Sequence, residues 1–403
     1  MFHHRAAQVL VSTALALVAG CAADAPAPGP AAPDADVAPT TDLGVSEVAD
    51  VADATDVAID TPLPDVPAVV DTVDVLDPVD AATDAVPDVP PDPCAGKNCD
   101  DGNACTTDAC VGAGVCQHAP LGAGITCATG KVCDAGSACV EVKGVEGMAF
   151  IPAGTFWMGC NAVKDGACNA SPNISETPQH KVTLSAYYMD LTETTVGQYK
   201  ACVDAGVCTV PYTQGPEQFQ TYPGFPNNPV NYVTWTQSQA YCKWRGAAFD
   251  LPTEAQWEMA ARGSCEKNGS TASDAGCAAA MRTYPWGEAE ATCSYAVMSN
   301  GTYGCGTITT WAVGSIPAGD SPYGVHDMAG NVWEWTRDWY GTYSAGAVTD
   351  PVGPDSTSST SHLMIRGGSA DGDASLVRVG TRVSGPPSGF GRYLGLRCMR
   401  SYP

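Results

Sequence analysis

Nineteen cysteines in a chain of 403 residues set the strongest constraint on what it can fold into. That density does not suit a reducing cytosol unless most thiols hold metal, and it points to an exported protein stapled by disulfides. Eight of them, Cys94, Cys99, Cys105, Cys110, Cys116, Cys127, Cys133 and Cys139, crowd into residues 94–140. So short a segment cannot build a sufficient apolar core, so it is expected to be a disulfide module, its pairing open. Zinc is the rival reading, but the segment has no Cys-x-x-Cys pair and a single histidine, His118. Further on, Cys160 with Cys168, Cys202 with Cys208, Cys265 with Cys277, and Cys293 with Cys305 would each close a short loop. Cys242 and Cys398 then remain as a long-range pair, and five bridges would leave no thiol free.

One cysteine, Cys21, makes the count odd. It follows Arg5, a short apolar run from Val9 to Val18, and the small residues Ala19 and Gly20, a pattern that resembles a bacterial lipoprotein signal. Residues 1–20 are then a signal peptide, Cys21 is the lipidated residue, and the protein is expected in the cell envelope, anchored to the outer membrane. Residues 21–93 carry 17 acids and no Lys or Arg among Ala, Val, Pro and Thr. Lacking aromatics and amphipathic period, this segment cannot bury enough apolar area to offset ordering, and a disordered, self-repelling linker is expected.

The linker also explains the charge. The whole chain carries a net −25, although only 16% of its residues are charged. That balance argues against nucleic acid, which requires a basic face, and against direct attraction to anionic lipid. Contact with the membrane is expected through the lipid anchor alone.

From residue 144 to 403 the chain reads as helix-poor α+β. Thr236 to Gln239 and Thr253 to Gln256 each fit a capping box, predicting helices that stop at Gly246 and Gly263. A third helix is expected over Val196 to Asp204, ended by Gly206, with Lys181 to Leu184 and Val332 to Trp335 as strand or loop.

Five ordered signatures then carry a family resemblance: Met148 to Gly159, Leu251-Pro252-Thr253-Glu254-Ala255-Gln256-Trp257-Glu258, Gly330-Asn331-Val332-Trp333-Glu334-Trp335, Arg366-Gly367-Gly368-Ser369, and Gly395-Leu396-Arg397-Cys398. Together they resemble the formylglycine-generating enzyme, or sulfatase-modifying factor, family. The resemblance implies its loop-rich variant of the C-type lectin-like fold and a bridge between Cys242 and Cys398. It also implies, for active members, oxidation of a sulfatase cysteine with oxygen and copper held by two cysteines, soft ligands that select Cu(I). Matching the Gly-Gly-Ser element places Gly372 and Val377 at those two positions. Neither side chain can ligate copper, so copper and the family's oxidase mechanism are not expected, and whether the chain is an enzyme is left open. An iron branch of the fold takes three histidines. Here His118, His180, His326 and His362 form no His-x-x-x-His pair.

The resemblance also implies a structural Ca²⁺ held by the Asp327 side chain, the Gly330 and Val332 carbonyls and Glu334, an all-oxygen set suited to a hard cation. Arg366, Arg378, Arg382 and Arg392 are expected to line the cleft around the emptied copper position and to bind a carboxylate, sulfate or peptide carbonyl. The resulting expectation is a lipoprotein that displays an altered domain for recognition of a peptide, protein or glycan. The alternative is formylglycine generation, or another metal-dependent oxidation, at a rebuilt site.

Overall fold

Three helices of the protein begin in the same way, on a threonine whose hydroxyl accepts the amide of a glutamine three residues on. In the computed structural model, which describes residues 92–168, 175–213, 221–270, 274–354 and 361–403, these are α1 (Val196–Asp204), α2 (Trp235–Trp244) and α3 (Glu254–Arg262), capped by Thr195, Thr234 and Thr253. In each, the glutamine side chain returns to the cap's own N–H, so two orphan donors are satisfied reciprocally. The box of α2 therefore starts two residues earlier than the sequence predicts. Thr234 and Gln237 have the same spacing as Thr236 and Gln239, and the earlier pair lets Trp235 donate its indole N–H to the Thr336 carbonyl. A fourth helix, α4 (Asp274–Ala280), lacks an apolar period and was not foreseen. No helix among the described residues is long and apolar enough to cross a membrane.

All described residues lie in one compact unit. The Cys-rich module consists of a hairpin, β1 (Thr106–Val111) with β2 (Val115–Pro120), and a small sheet of β3 (Thr126–Ala128), β4 (Lys131–Cys133) and β5 (Cys139–Glu141). Its pairing, left open by the sequence, is Cys94–Cys110, Cys99–Cys116, Cys105–Cys133 and Cys127–Cys139. Of its side chains, Cys105, Val132 and Cys133 are the buried apolar ones, so the bridges substitute for a core.

The domain carries three sheets. In one, β6 (Met148–Ile151) pairs with β9 (Tyr187–Asp190), which pairs with β16 (Met399–Ser401) and then β10 (Phe249–Asp250), all antiparallel. A second joins β7 (Gly154–Met158), β8 (His180–Leu184) and β12 (Val348–Thr349). The third is built on β11 (Trp333–Trp339), flanked by β13 (Leu363–Arg366) and, in parallel, β15 (Leu394–Gly395), with β14 (Val383–Gly385) beyond β13. The apolar face of α3, including Trp257, Met259 and Ala260, packs with Ile151, Phe156, Val182, Met189 and Met328 in the main core. A second core gathers Tyr199, Tyr241, Trp335 and Leu396 around the Cys242–Cys398 bridge. The structure forms the four local bridges Cys160–Cys168, Cys202–Cys208, Cys265–Cys277 and Cys293–Cys305 as well. All 18 cysteines of residues 94–403 are thus oxidised. Cys21 and the acidic linker up to residue 91 lie outside the described residues.

Candidate functional site

The segment after β13 is the natural place to look for chemistry, because it holds the positions matched to the copper ligands. Gly367 and Gly368 turn the chain with φ of 102° and 74°, a conformation other residues rarely adopt. A Cβ on Gly368 would meet the Leu376 carbonyl and Val377 Cγ1, both at 2.8 Å, so the turn presses directly on the segment that follows. Val377 is wholly buried in an apolar cluster with Ala291, Ala296, Met298 and Ala329. Gly372 is held by backbone bonds at both ends, its N–H to the Ser369 carbonyl and its carbonyl to the Ser299 N–H. These positions offer packing and a turn, and no metal donor.

The four arginines do not converge on one cleft, which corrects the reading that grouped them. Arg366 is fully buried, bonded to Glu258 and Glu254 and to the Val379 carbonyl, with its guanidinium 5.3 Å from the Trp257 ring. Arg378 meets both oxygens of Glu176, at 2.9 and 2.8 Å, and Asp165 at 2.8 Å. Arg382 holds both oxygens of Glu254, bonds the Ser175 and Gly341 carbonyls, and lies 3.8 Å over Tyr343. Burial works against ionisation of Glu254, but Arg382 and Arg366 outweigh it and hold the carboxyl below its ordinary range. Arg378 and Arg382 direct their donors to carboxylates and carbonyls, and Arg366 is enclosed with its Nε unpaired, so all three organise the core; Arg382 alone of them also reaches the wall of a separate cleft beside Gly341 and Tyr343. Nor do Asp371 and Asp373 pair with these three.

Arg392 is different. Its side chain is 36% exposed, it contacts Asp371 at 3.3 Å, and it lies 5.1 Å from the rings of both Tyr303 and Tyr393. Asp371 in turn accepts the Ser369 hydroxyl at 2.5 Å, tying Arg392 to the Gly-Gly-Ser turn. Arg392, Asp371 and Tyr393, together with Trp333, Ile365, Val383 and Leu394, line a cleft of about 220 Å³, with Tyr303 against Arg392 but not in its lining. An arginine flanked by two tyrosines, with an acid beside it, suits a polar group carried on an apolar or aromatic frame.

Of the residues expected to hold calcium, Asp327 and Glu334 lie near enough at the start of β11 for Glu334 to help raise the Asp327 carboxyl. Asp327, at φ 55°, accepts the Gly314 N–H at 2.5 Å. Glu334 is fully buried, with Arg397 on both oxygens at 2.8 Å and the Trp257 indole on one of them. The sequence reading missed Glu193, which accepts Asn331 Nδ2 and the Val332 N–H and is also fully buried. Burial, then Asp327 and Glu334 nearby, push the Glu193 carboxyl well up; burial also raises Asp327. Three carboxylates therefore lie in one region of the fold near Arg397, already committed to Glu334, but among the described residues their oxygens do not gather within 4.8 Å of one another. The donor type, oxygen only, is that of a hard divalent cation, while Glu334 is already paired with Arg397. The histidines do not fit an iron centre: His326 pairs with Asp320 at 2.6 Å, His118 with Asp108 at 2.8 Å, and His180 packs on Tyr343.

Fold and disulfide framework together define a disulfide-bonded relative of the sulfatase-modifying factors. The family profile described as "Sulfatase-modifying factor enzyme 1-like domain" matches residues 136–402, and the chain belongs to that family. It is 30% identical to the formylglycine-generating enzyme of Streptomyces coelicolor over 64% of this chain and 90% of that one. It is 33% identical to the "Inactive C-alpha-formylglycine-generating enzyme 2" of Mus musculus over 43% of this chain and 49% of that one. Among solved structures, PvdO from Pseudomonas aeruginosa shares the fold, with a TM-score of 0.50 and 24% identity over 63% of this chain and 94% of its own.

Proposed function

We propose that this protein is a lipid-anchored recognition protein of the cell envelope, whose sulfatase-modifying-factor domain binds a peptide, protein or glycan and does not generate formylglycine. The observation that carries this reading is Val377, a buried aliphatic side chain at one copper-ligand position, with Gly372 at the other and every cysteine of residues 94–403 in a disulfide. Soft thiolate ligation is the chemical requirement for Cu(I), and these positions supply none. The ligand is assigned to the Arg392 cleft, and Ca²⁺ to Asp327, Glu334 and the Gly330 and Val332 carbonyls as a structural ion. Lipidation at Cys21 and the acidic linker would hold the domain off the outer membrane.

Elemental analysis and a thiol count under denaturing conditions test the reading. Calcium without copper or iron, and no reactive thiol, is the expected result. Stoichiometric copper or iron, or conversion of a sulfatase-derived cysteine peptide, overturns it in favour of an oxidoreductase with a rebuilt site.

A further inference from the structure

The module and the domain meet along a seam, and a cleft of about 800 Å³ opens there, sharing no residue with the Arg392 cleft. The module side is made by residues 122–126 and Gly130, the domain side by β6, β7, β8 and residues 264–267. The seam is tightly fixed. The Ala153 N–H donates to the Gly124 carbonyl at 3.0 Å, and the Tyr188 hydroxyl donates to the Lys143 carbonyl at 2.7 Å. Gly124 sits at φ 82°, and a Cβ there would fall 2.3 Å from Ala186 Cβ, so the two surfaces touch at backbone distance. A cleft between such walls is preformed, and its volume is typical of small-molecule sites, about 300–1,000 Å³.

The chemistry of the walls narrows the ligand. Thr126 and Thr349 bring exposed hydroxyls; those of Thr155 and Thr183 bond each other at 3.0 Å, Ser185 donates to Asp350 at 2.7 Å and Ser264 accepts the Lys267 N–H, so these four keep only part of their capacity, a lone pair or, at Ser264, the O–H. Phe150 and Tyr323 are half-buried at the cleft wall, Phe150 also packing on the Tyr188 and Tyr402 rings, so each offers only part of its ring. The charged groups are the exposed neighbours Glu266 and Lys267, which cancel; Lys267 Nζ lies 5.3 Å over the Tyr323 ring. Leu184 is packed into the core and Ile125 is half-buried, so a peptide side chain finds no deep apolar pocket. Hydroxyls, ring faces and a neutral sum complement a molecule with many hydroxyls and apolar C–H faces. Residues 94–403, with 27 acids against 18 Lys and Arg, also disfavour a polyanion.

We propose that the seam is a second binding site, specific for a neutral oligosaccharide. The site shares the recognition role assigned above but not its cleft, and it exists only while the module is docked. The intact protein is screened on a microarray of neutral and anionic oligosaccharides, and the strongest neutral hit is titrated by calorimetry. Thr126→Arg and Thr349→Trp, both at exposed positions, are each expected to weaken that affinity at least about tenfold with an unchanged melting temperature. Arg392→Ala should leave it unchanged. Absence of any neutral hit, or affinity insensitive to both seam variants, overturns the proposal. Loss of affinity in Arg392→Ala alone moves the ligand to the other cleft, which rejects the seam while leaving the recognition role intact.

Discussion

Arg382 grips both oxygens of Glu254, through Nε at 2.7 Å and Nη2 at 2.9 Å, across 128 residues of sequence. The pair is buried, and Arg366 and the Tyr343 hydroxyl share Glu254 Oε1. Such a bridge need not outperform an apolar substitute, but breaking it strands a charge in a low-dielectric interior.

Arg382→Ala should therefore cost about 3–5 kcal/mol of stability. Arg392→Ala, at a partly exposed pair, should cost no more than about 1 kcal/mol. Urea titration of the two variants separates core arginine from surface arginine, and equal midpoints would contradict that division.

The bridge Cys242–Cys398 ties α2 to the residue just before β16, an inner strand of a four-stranded sheet, and closes a loop of 156 residues. Chain-entropy arguments place its contribution at about 4–5 kcal/mol. Replacing both cysteines with serine should lower the melting temperature far more than the same change at Cys202 and Cys208, whose separation is 6. Comparable losses in the two double variants would mean that loop entropy is not what the long bridge supplies.

If calcium neutralises the carboxylates at the start of β11, it must stabilise the fold by mass action. Calcium at about 100 times its Kd should add about 2.7 kcal/mol. Chelation should reverse the gain, and Asp327→Ala should abolish the response while Asp320→Ala, at the His326 pair, keeps it. A melting temperature indifferent to calcium and chelator in the wild-type protein would remove the ion from the account.

Asp338 is buried and accepts the N–H groups of Glu254 and Gly353, at 2.7 and 2.5 Å. Burial and the neighbouring Glu254 push its carboxyl up to about 7. Because the folded value lies above the unfolded one, this group's contribution is full below about pH 4 and is lost as pH rises through about 7. The stability advantage of the wild type over Asp338→Asn should shrink across that window. An advantage that is flat with pH would show that the carboxyl titrates normally.

Much of the architecture can be read along the chain. Capping boxes are local: Thr253 and Gln256 need only each other and one turn of helix, so α3 was foreseen to its first residue, while at α2 two overlapping boxes compete and a distant carbonyl, that of Thr336, selects between them. The absence of any cysteine between Ser369 and Cys398 is likewise visible, a fact of composition, and the family resemblance implies copper ligands at the positions of Gly372 and Val377. The local bridges follow from spacing, whereas the pairing of the Cys-rich module does not, because eight cysteines in a short segment allow many closures.

The sequence by itself determined the family, the absence of thiolate ligands at Gly372 and Val377, and the arginine content near the Gly-Gly-Ser turn. Only the tertiary structure decided what those arginines do. A guanidinium reads the same in a sequence whether it faces solvent, as Arg392 partly does, or is enclosed by Glu254, Glu258 and Glu176, as Arg366, Arg382 and Arg378 are. Glu193 escaped notice for the same reason: it comes to Asp327 and Glu334 from more than a hundred residues away. The charge state and role of a buried ionisable group are set by partners brought together in space, and solvation and Coulomb energy depend on that distance, not on separation along the chain.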